Sequence, residues 1–338
     1  MSEISKIRVG ISVGDPNGIG FEIILKTFED RRIFDFFTPV VFAHSKNFIE
    51  ERKKLGITTS VFKLKNLKKP NKGQLNVVDV WNTAFPVDYG KEQLEAGVHA
   101  ISSLESATRA LKKGVVDILV TAPIHKKSIQ SNTFKFPGHT DYLNVNLEGE
   151  SLMFMVTDNL KVALMSDHIP LKEVVGYLNE EKINTKIALL EKSLIQDFGI
   201  QRPKIAVLGI NPHSGDNGVI GDEDDTLLTP VIKKWTKKGS LVFGPYAADG
   251  FFGNQSYTKF DGILAAYHDQ GLIPFKTLSF GQGVNFTAGL SHVRTSPDHG
   301  TAFDIAGKGV ADSSSFREAI YTARAIYLNR QQEKKEGN

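Results

Sequence analysis

Cysteine is absent from the 338 residues. That absence removes disulfides, thiolate nucleophiles and cysteine-ligated metal centres together, and a cytoplasmic protein is the natural expectation. Long apolar runs are missing too. No stretch approaches the ~18 consecutive apolar residues of a membrane span, and the opening MSEISKIRVGISVG has no separate basic and apolar regions of the kind a signal peptide needs. Charge of one sign is also scarce. The balance of 41 Lys+Arg against 38 Asp+Glu leaves a net +3, which gives no general attraction to nucleic acid or membranes. The one local excess, KLKNLKKPNKGQ from Lys63 to Gln74, has lysines but neither arginine nor an aromatic residue. It reads as a solvated sheet edge blunted by lysine, not as a nucleic-acid surface.

What remains is the composition of an ordinary soluble protein, 41% apolar and 23% charged. The length suggests about two domains at roughly 150 residues each. Short apolar runs without alternation, KIRVGISV, FTPVVFA, VDILVTA, LKVALM, KIAVLGI and DGILAAY, predict strands buried on both faces. EQLEAGVHAISSLESATRALKKG and EEKINTKIALLEKSLIQDFG carry apolar residues at helical spacing and end on a glycine suited to a C-cap. Strand followed by helix, repeated, predicts an α/β fold with a largely parallel sheet. The tail NRQQEKKEGN is expected to fray.

In such sheets ligands bind beyond the carboxyl ends of the strands. Polar loops follow nearly every predicted strand: GDPNGIGFE, PIHKKSI, SDHIPLKEV, NPHSGDNGVIGDED and HDQGLIPFK. The first has glycines in the order G-x-x-x-G-x-G, which is not the dinucleotide fingerprint G-x-G-x-x-G. It is read as a tight turn into a helix. His168, His213 and His268 each stand just after a strand. One such histidine alone is more often a loop residue bonded to backbone. Three with open coordination positions are what a catalytic divalent-metal site requires, with Asp167 and Asp269 adjoining two of them as supports or further site groups. Gly138-His139-Thr140 opens a helix-like segment, DYLNVNL, and forms a candidate anion seat. Lys276, Asn285 and Arg294 are candidates to complete it. Arg294 to Gly309 is dense in small and polar residues, with glycines that allow close approach to a ligand.

Taken together, GDPNGIG, FPGHTDYL, DHIPL, NPHSG, YHDQG with its following lysine, VNFTAGL and RTSPDHGTAFDIAGKG resemble the 4-hydroxythreonine-4-phosphate dehydrogenase family of pyridoxal phosphate biosynthesis. DHGTAFDIAGKG also resembles the cofactor loop of isocitrate and isopropylmalate dehydrogenases. The resemblance implies two α/β/α domains with largely parallel sheets and an interdomain cleft, with borders expected at 1–130 plus 245–338 and at 131–244. It implies a homodimer whose active site is completed by the other subunit. It implies that His168, His213 and His268 hold one divalent metal (zinc, cobalt or magnesium), and that His139, Thr140, Lys276, Asn285 and Arg294 bind a small phosphorylated substrate. NAD, or NADP, would lie along His299, Gly300, Thr301 and Asp304. The expected reaction oxidises 4-phosphohydroxythreonine at C3 and gives 3-amino-2-oxopropyl phosphate after loss of carbon dioxide. Asp269, Asp249 and Lys276 are the candidates to accept the hydroxyl proton. A sister dehydrogenase of erythronate or threonate 4-phosphate would share these motifs, and a metal-dependent hydrolase is the more distant alternative. Departures from the family pattern are Asn17, Phe21, Asp141, the Ile273-Pro274-Phe275 run and His292.

Overall fold

Seven residues that are buried on both faces, Phe37–Ala43, show how the fold begins. In the computed structural model, which describes residues 6–132 and 134–336, this apolar run is β2, and it pairs in parallel with β1 (Ile7–Ser12). The chain then forms β3 (Val61–Lys63), β4 (Leu75–Asp79), β5 (Ile118–Thr121), β6 (Gly149–Val156), β7 (Lys161–Leu164), β8 (Lys204–Leu208), β9 (Leu241–Tyr246), β10 (Gly262–Ala265), β11 (Val284–Leu290) and β12 (Arg294–Pro297). The helices between them are α1 (Gly20–Thr27), α2 (Ser45–Lys54), α3 (Leu94–Lys112), α4 (His139–Asn146), α5 (Val174–Tyr177), α6 (Glu180–Gln196), α7 (Thr229–Lys237), α8 (Ala248–Gly253), α9 (His268–Ser279) and α10 (Ser314–Glu336).

The chain divides into two compact units, Met1–Gly149 with Leu290–Tyr327, and Glu150–Gly289 with Leu328–Asn338. The first unit has strands in the order β3-β4-β2-β1-β5-β12, parallel at each pairing. Its edge strand, β3, ends on Lys63, which pairs with Asp79 of β4 at 2.7 Å, and the rest of the lysine-rich stretch forms the loop between the two strands. α3 lays Ala96, Ala100, Leu104, Ala107 and Leu111 at helical spacing against this sheet. It stops where Gly114 takes φ +63° and donates its N–H to Leu111 O. The core there gathers Val40, Phe42, Leu104, Leu119 and Leu143.

The second unit has the order β11-β6-β7-β10-β8-β9. β6 and β7 are antiparallel, whereas β7, β10, β8 and β9 run parallel. Two segments differ from the sequence expectation. HDQGLIPFKTLS is a helix, α9, although glycine and proline lie within it. Gly271 is what lets it pack, since a Cβ there would come within 2.9 Å of Leu164 and 3.0 Å of Ala265 and Val162. The tail does not fray at Asn329, because α10 continues to Glu336. Arg330, 8% exposed, donates to Asp197 Oδ1 at 2.5 Å, and Asn329 Nδ2 donates to Asp197 O at 2.8 Å. A buried pair of this kind anchors the helix end against unravelling.

Candidate active site

In the second unit β10 lies between β7 and β8, with Ala265 opposite Leu164 and Leu264 opposite Val207. The three strands therefore end side by side, and each is followed within a few residues by a histidine: His168, His268 and His213. Main-chain and side-chain hydrogen bonds tie these ends together. Ser166 Oγ donates to Ala266 O at 2.7 Å, Gln270 Oε1 accepts from Ala266 N at 2.7 Å, and Gln270 Nε2 donates to Gly209 O at 2.6 Å. The His168 and His268 rings stand 5.8 Å apart, centroid to centroid. His268 Nδ1 lies 2.7 Å from Asp269 Oδ1, and His168 Nδ1 is 3.8 Å from Asp167 Oδ2. A carboxylate on Nδ1 fixes the ring and leaves Nε2 as its ligand nitrogen.

His213 reaches this edge on a strained turn. His213, Ser214, Asp216 and Asn217 have φ of 53°, 52°, 45° and 55°, a left-handed conformation that costs roughly 1–2 kcal/mol for each non-glycine residue. Asp224, wholly buried, holds the turn by accepting from Ile210 N at 2.8 Å and Asn211 N at 2.9 Å. Among the described residues, no three His, Cys, Asp or Glu side chains stand within metal-holding reach of one another. The donor chemistry fits a divalent metal nonetheless: paired imidazoles, one of them oriented by a carboxylate, with a third on the adjacent strand end.

Other candidates of this unit surround that edge differently. Asp269 is exposed, as is Asp249 in the first turn of α8. Lys276 is exposed on α9, about 12 Å along the helix axis from His268 at 1.5 Å per residue. Asn285, on β11, has an enclosed Oδ1 with no hydrogen-bond partner among the described residues.

The first unit holds the remaining candidates. α4 opens at His139, with Thr140 and Asp141 in its first turn. The His139 residue keeps some exposed surface, but Nε2 is shut from solvent and has no hydrogen-bond partner among the described residues. Burial, reinforced by the nearby Arg294 charge, holds this imidazole well below its ordinary pKa. Arg294, 2% exposed, donates from Nε and Nη2 to Thr121 Oγ1 at 3.2 and 2.6 Å. Burial lowers its pKa to about 9, so it is still cationic at neutral pH. Taking a guanidinium out of water is costly, and an anionic ligand would offset that cost.

The loop after β12 carries His299, Gly300, Thr301 and Asp304. His299 Nδ1 lies 3.1 Å from Gly300 O, and its Nε2 is enclosed without a partner among the described residues. Thr301 O accepts from Ile19 N at 3.1 Å, and a Cβ on Gly18 would lie 2.8 Å from that same oxygen. GDPNGIG is thus the tight turn into α1 that its spacing implied, and it supports this loop. The sequence reading assigned no role to Asp224, Gln270 or Thr121. Thr121 meets Arg294 on another strand, and Asp224 and Gln270 each bond the loop after β8, from 13 to 61 positions away, so nothing in the local sequence marks them.

Residues 35–323 match the family model described as pyridoxal phosphate biosynthetic protein PdxA. A 4-hydroxythreonine-4-phosphate dehydrogenase of Bacteroides thetaiotaomicron is 46% identical over 98% of this chain and 92% of its own. A D-threonate 4-phosphate dehydrogenase of Salmonella typhimurium is 37% identical over 94% of this chain and 98% of its own. The crystal structure of a 4-hydroxythreonine-4-phosphate dehydrogenase from Klebsiella pneumoniae superposes with a TM-score of 0.80 at 33% identity, covering 96% of this chain and all of that one. On this match and these identities, the chain belongs to the PdxA family of pyridoxal phosphate biosynthetic proteins.

Proposed function

We propose that this protein oxidises 4-phosphohydroxythreonine at C3, using NAD or NADP and one divalent metal (zinc, cobalt or magnesium). The observation that carries the proposal is the adjacency of β7, β10 and β8, which delivers His168, His268 and His213 to one sheet edge. When bound, the metal supplies Lewis acidity toward the C3 hydroxyl and the nicotinamide supplies the hydride acceptor. The protein residues do the rest. His168, His213 and His268 hold the metal, and Asp269 fixes the His268 ring. His139, Thr140, Lys276, Asn285 and Arg294 grip the phosphorylated substrate, and that remote binding energy positions C3. Arg294 brings a charge already desolvated, which strengthens its attraction for an anion. His299, Gly300, Thr301 and Asp304 receive the dinucleotide.

With the nicotinamide bound, C3 would give up its hydride to it while the C3 hydroxyl gave its proton to Asp269, Asp249 or Lys276. The resulting 2-amino-3-oxo acid loses carbon dioxide to give 3-amino-2-oxopropyl phosphate. Operation in the cytoplasm as a homodimer belongs to the same reading, and sedimentation of the purified chain reports the second part.

A second reading, threonate 4-phosphate as substrate, is favoured by the names of relatives at 35% and 37% identity. A substrate panel read by NADH absorbance separates them. The account predicts kcat/KM at least about tenfold higher for 4-phosphohydroxythreonine than for threonate or erythronate 4-phosphate. The reverse order would assign the protein to the sister activity.

A further inference from the structure

Asn17 is wholly buried in the turn between β1 and α1, and its carboxamide is engaged by one segment, Asp88–Gln93. Nδ2 donates to Lys91 O at 3.0 Å and to Gln93 Oε1 at 3.1 Å, while Oδ1 accepts from Asp88 N at 2.9 Å. The Asn17 carbonyl also accepts from Gly90 N at 2.9 Å.

On its other side that segment meets the loop after β12. A Cβ on Gly90 would lie 2.9 Å from Phe303 O, and a Cβ on Gly307 would overlap the Tyr89 ring. Tyr89 is itself fixed, since its hydroxyl donates to the buried Glu51. Glu92 Oε1 stands 3.3 Å from His125 Nε2, and the His125 ring lies 5.2 Å from that of Phe303. Residues 88–93 therefore wedge Asn17 against the Phe303–Gly307 part of the loop, beside the direct contact of Ile19 N with Thr301 O. The loop has no strand or helix of its own and holds Ala302 at φ 46°. Its position depends on what it leans against.

We propose that Asn17 is a positioning residue for the dinucleotide, which sets the His299–Asp304 loop through the Asp88–Gln93 wedge. The inference rests on the assignment of that loop to NAD. A buried carboxamide with its donors and acceptor engaged holds the wedge in one place. Loosening it shifts the loop while leaving the metal edge and α4 on their own elements. The effect falls on dinucleotide affinity, not on the chemical step.

Three variants test this with NAD as the varied substrate. Asn17→Asp keeps size and acceptor but replaces the donor, Asn17→Ala removes all three side-chain bonds, and Gln93→Ala removes one partner at the half-buried rim. The expected result is a Kd for NAD by equilibrium dialysis, and a KM for NAD in turnover, each raised about tenfold in both Asn17 variants and a few-fold in Gln93→Ala, with kcat and the KM for the phosphorylated substrate within about twofold. If the Asn17 variants fail to fold, Gln93→Ala decides alone. A lower Tm with an unchanged KM for NAD, or equal changes in every kinetic constant, would overturn the inference. Asp304→Asn serves as the comparison. If it raises the KM for NAD and the other variants do not, the inference falls and the loop assignment stands. If it too leaves that KM unmoved, both fall.

Discussion

His268 is held at two points: its Nδ1 by Asp269, and its backbone by the end of β10 at the start of α9. Replacing it tests the metal assignment at a single residue. His268→Ala is predicted to lower metal affinity by more than the 10–100-fold typical of losing an outer partner, and Asp269→Asn by about that 10–100-fold. Metal content after dialysis, measured beside NADH formation, checks both. Full occupancy with normal turnover in His268→Ala would remove it from the ligand set. His139 makes a separate prediction about pH. Its pKa in the folded chain lies well below the ordinary value of 6.5, so below pH 6.5 the unfolded chain takes up a proton that the native state resists. The contribution to stability is therefore full above about pH 6.5 and is lost as pH falls, at no more than about 1.4 kcal/mol per pH unit. Urea unfolding at pH 7.5 and 5.5 should show a larger loss for the native sequence than for His139→Gln. Equal losses would show that His139 is not held neutral.

α9 is the element on which the site most depends, because it carries His268, Asp269, Gln270 and Lys276. Gly271→Val would force branched carbons into Leu164, Ala265 and Val162. An overpacking cost of about 1–3 kcal/mol follows, read as a lower Tm together with weaker metal binding. An unchanged Tm would mean that α9 does not pack on β7 and β10 as closely as described. The same element shows what a sequence reveals. The six strand assignments and the helices α3, α4 and α6 were legible, because a run buried on both faces, or a stripe at helical spacing, writes its burial into local composition. α9 was not legible, since Gly271 and Pro274 weaken helix propensity and only contact with β7 and β10 outweighs them. The end of α10 was hidden for a similar reason, as Arg330 meets an aspartate 133 positions away. At the site, the strand-end histidines stood out in the sequence. The left-handed turn under His213 did not, because Asp224 holds it from beyond the turn.

Across the whole molecule, no long apolar helix lies among the described residues, and a net charge of +3 is spread over 338 residues. The chain's investment is local. In one unit it gathers imidazoles at a sheet edge, and in the other it buries a guanidinium beside an enclosed imidazole nitrogen. A desolvated guanidinium suits an anion and oriented imidazoles suit a metal, and the proposed reaction, a phosphorylated hydroxy acid oxidised with metal assistance, calls for both. That joint requirement is the central claim. Its most direct measurement is NAD reduction by the purified protein with 4-phosphohydroxythreonine, before and after treatment with a chelator. The account predicts NADH formation, read by absorbance, that the chelator abolishes and an added divalent metal restores. NADH formation at an undiminished rate in the metal-stripped protein, or phosphate release with no NADH, would contradict it.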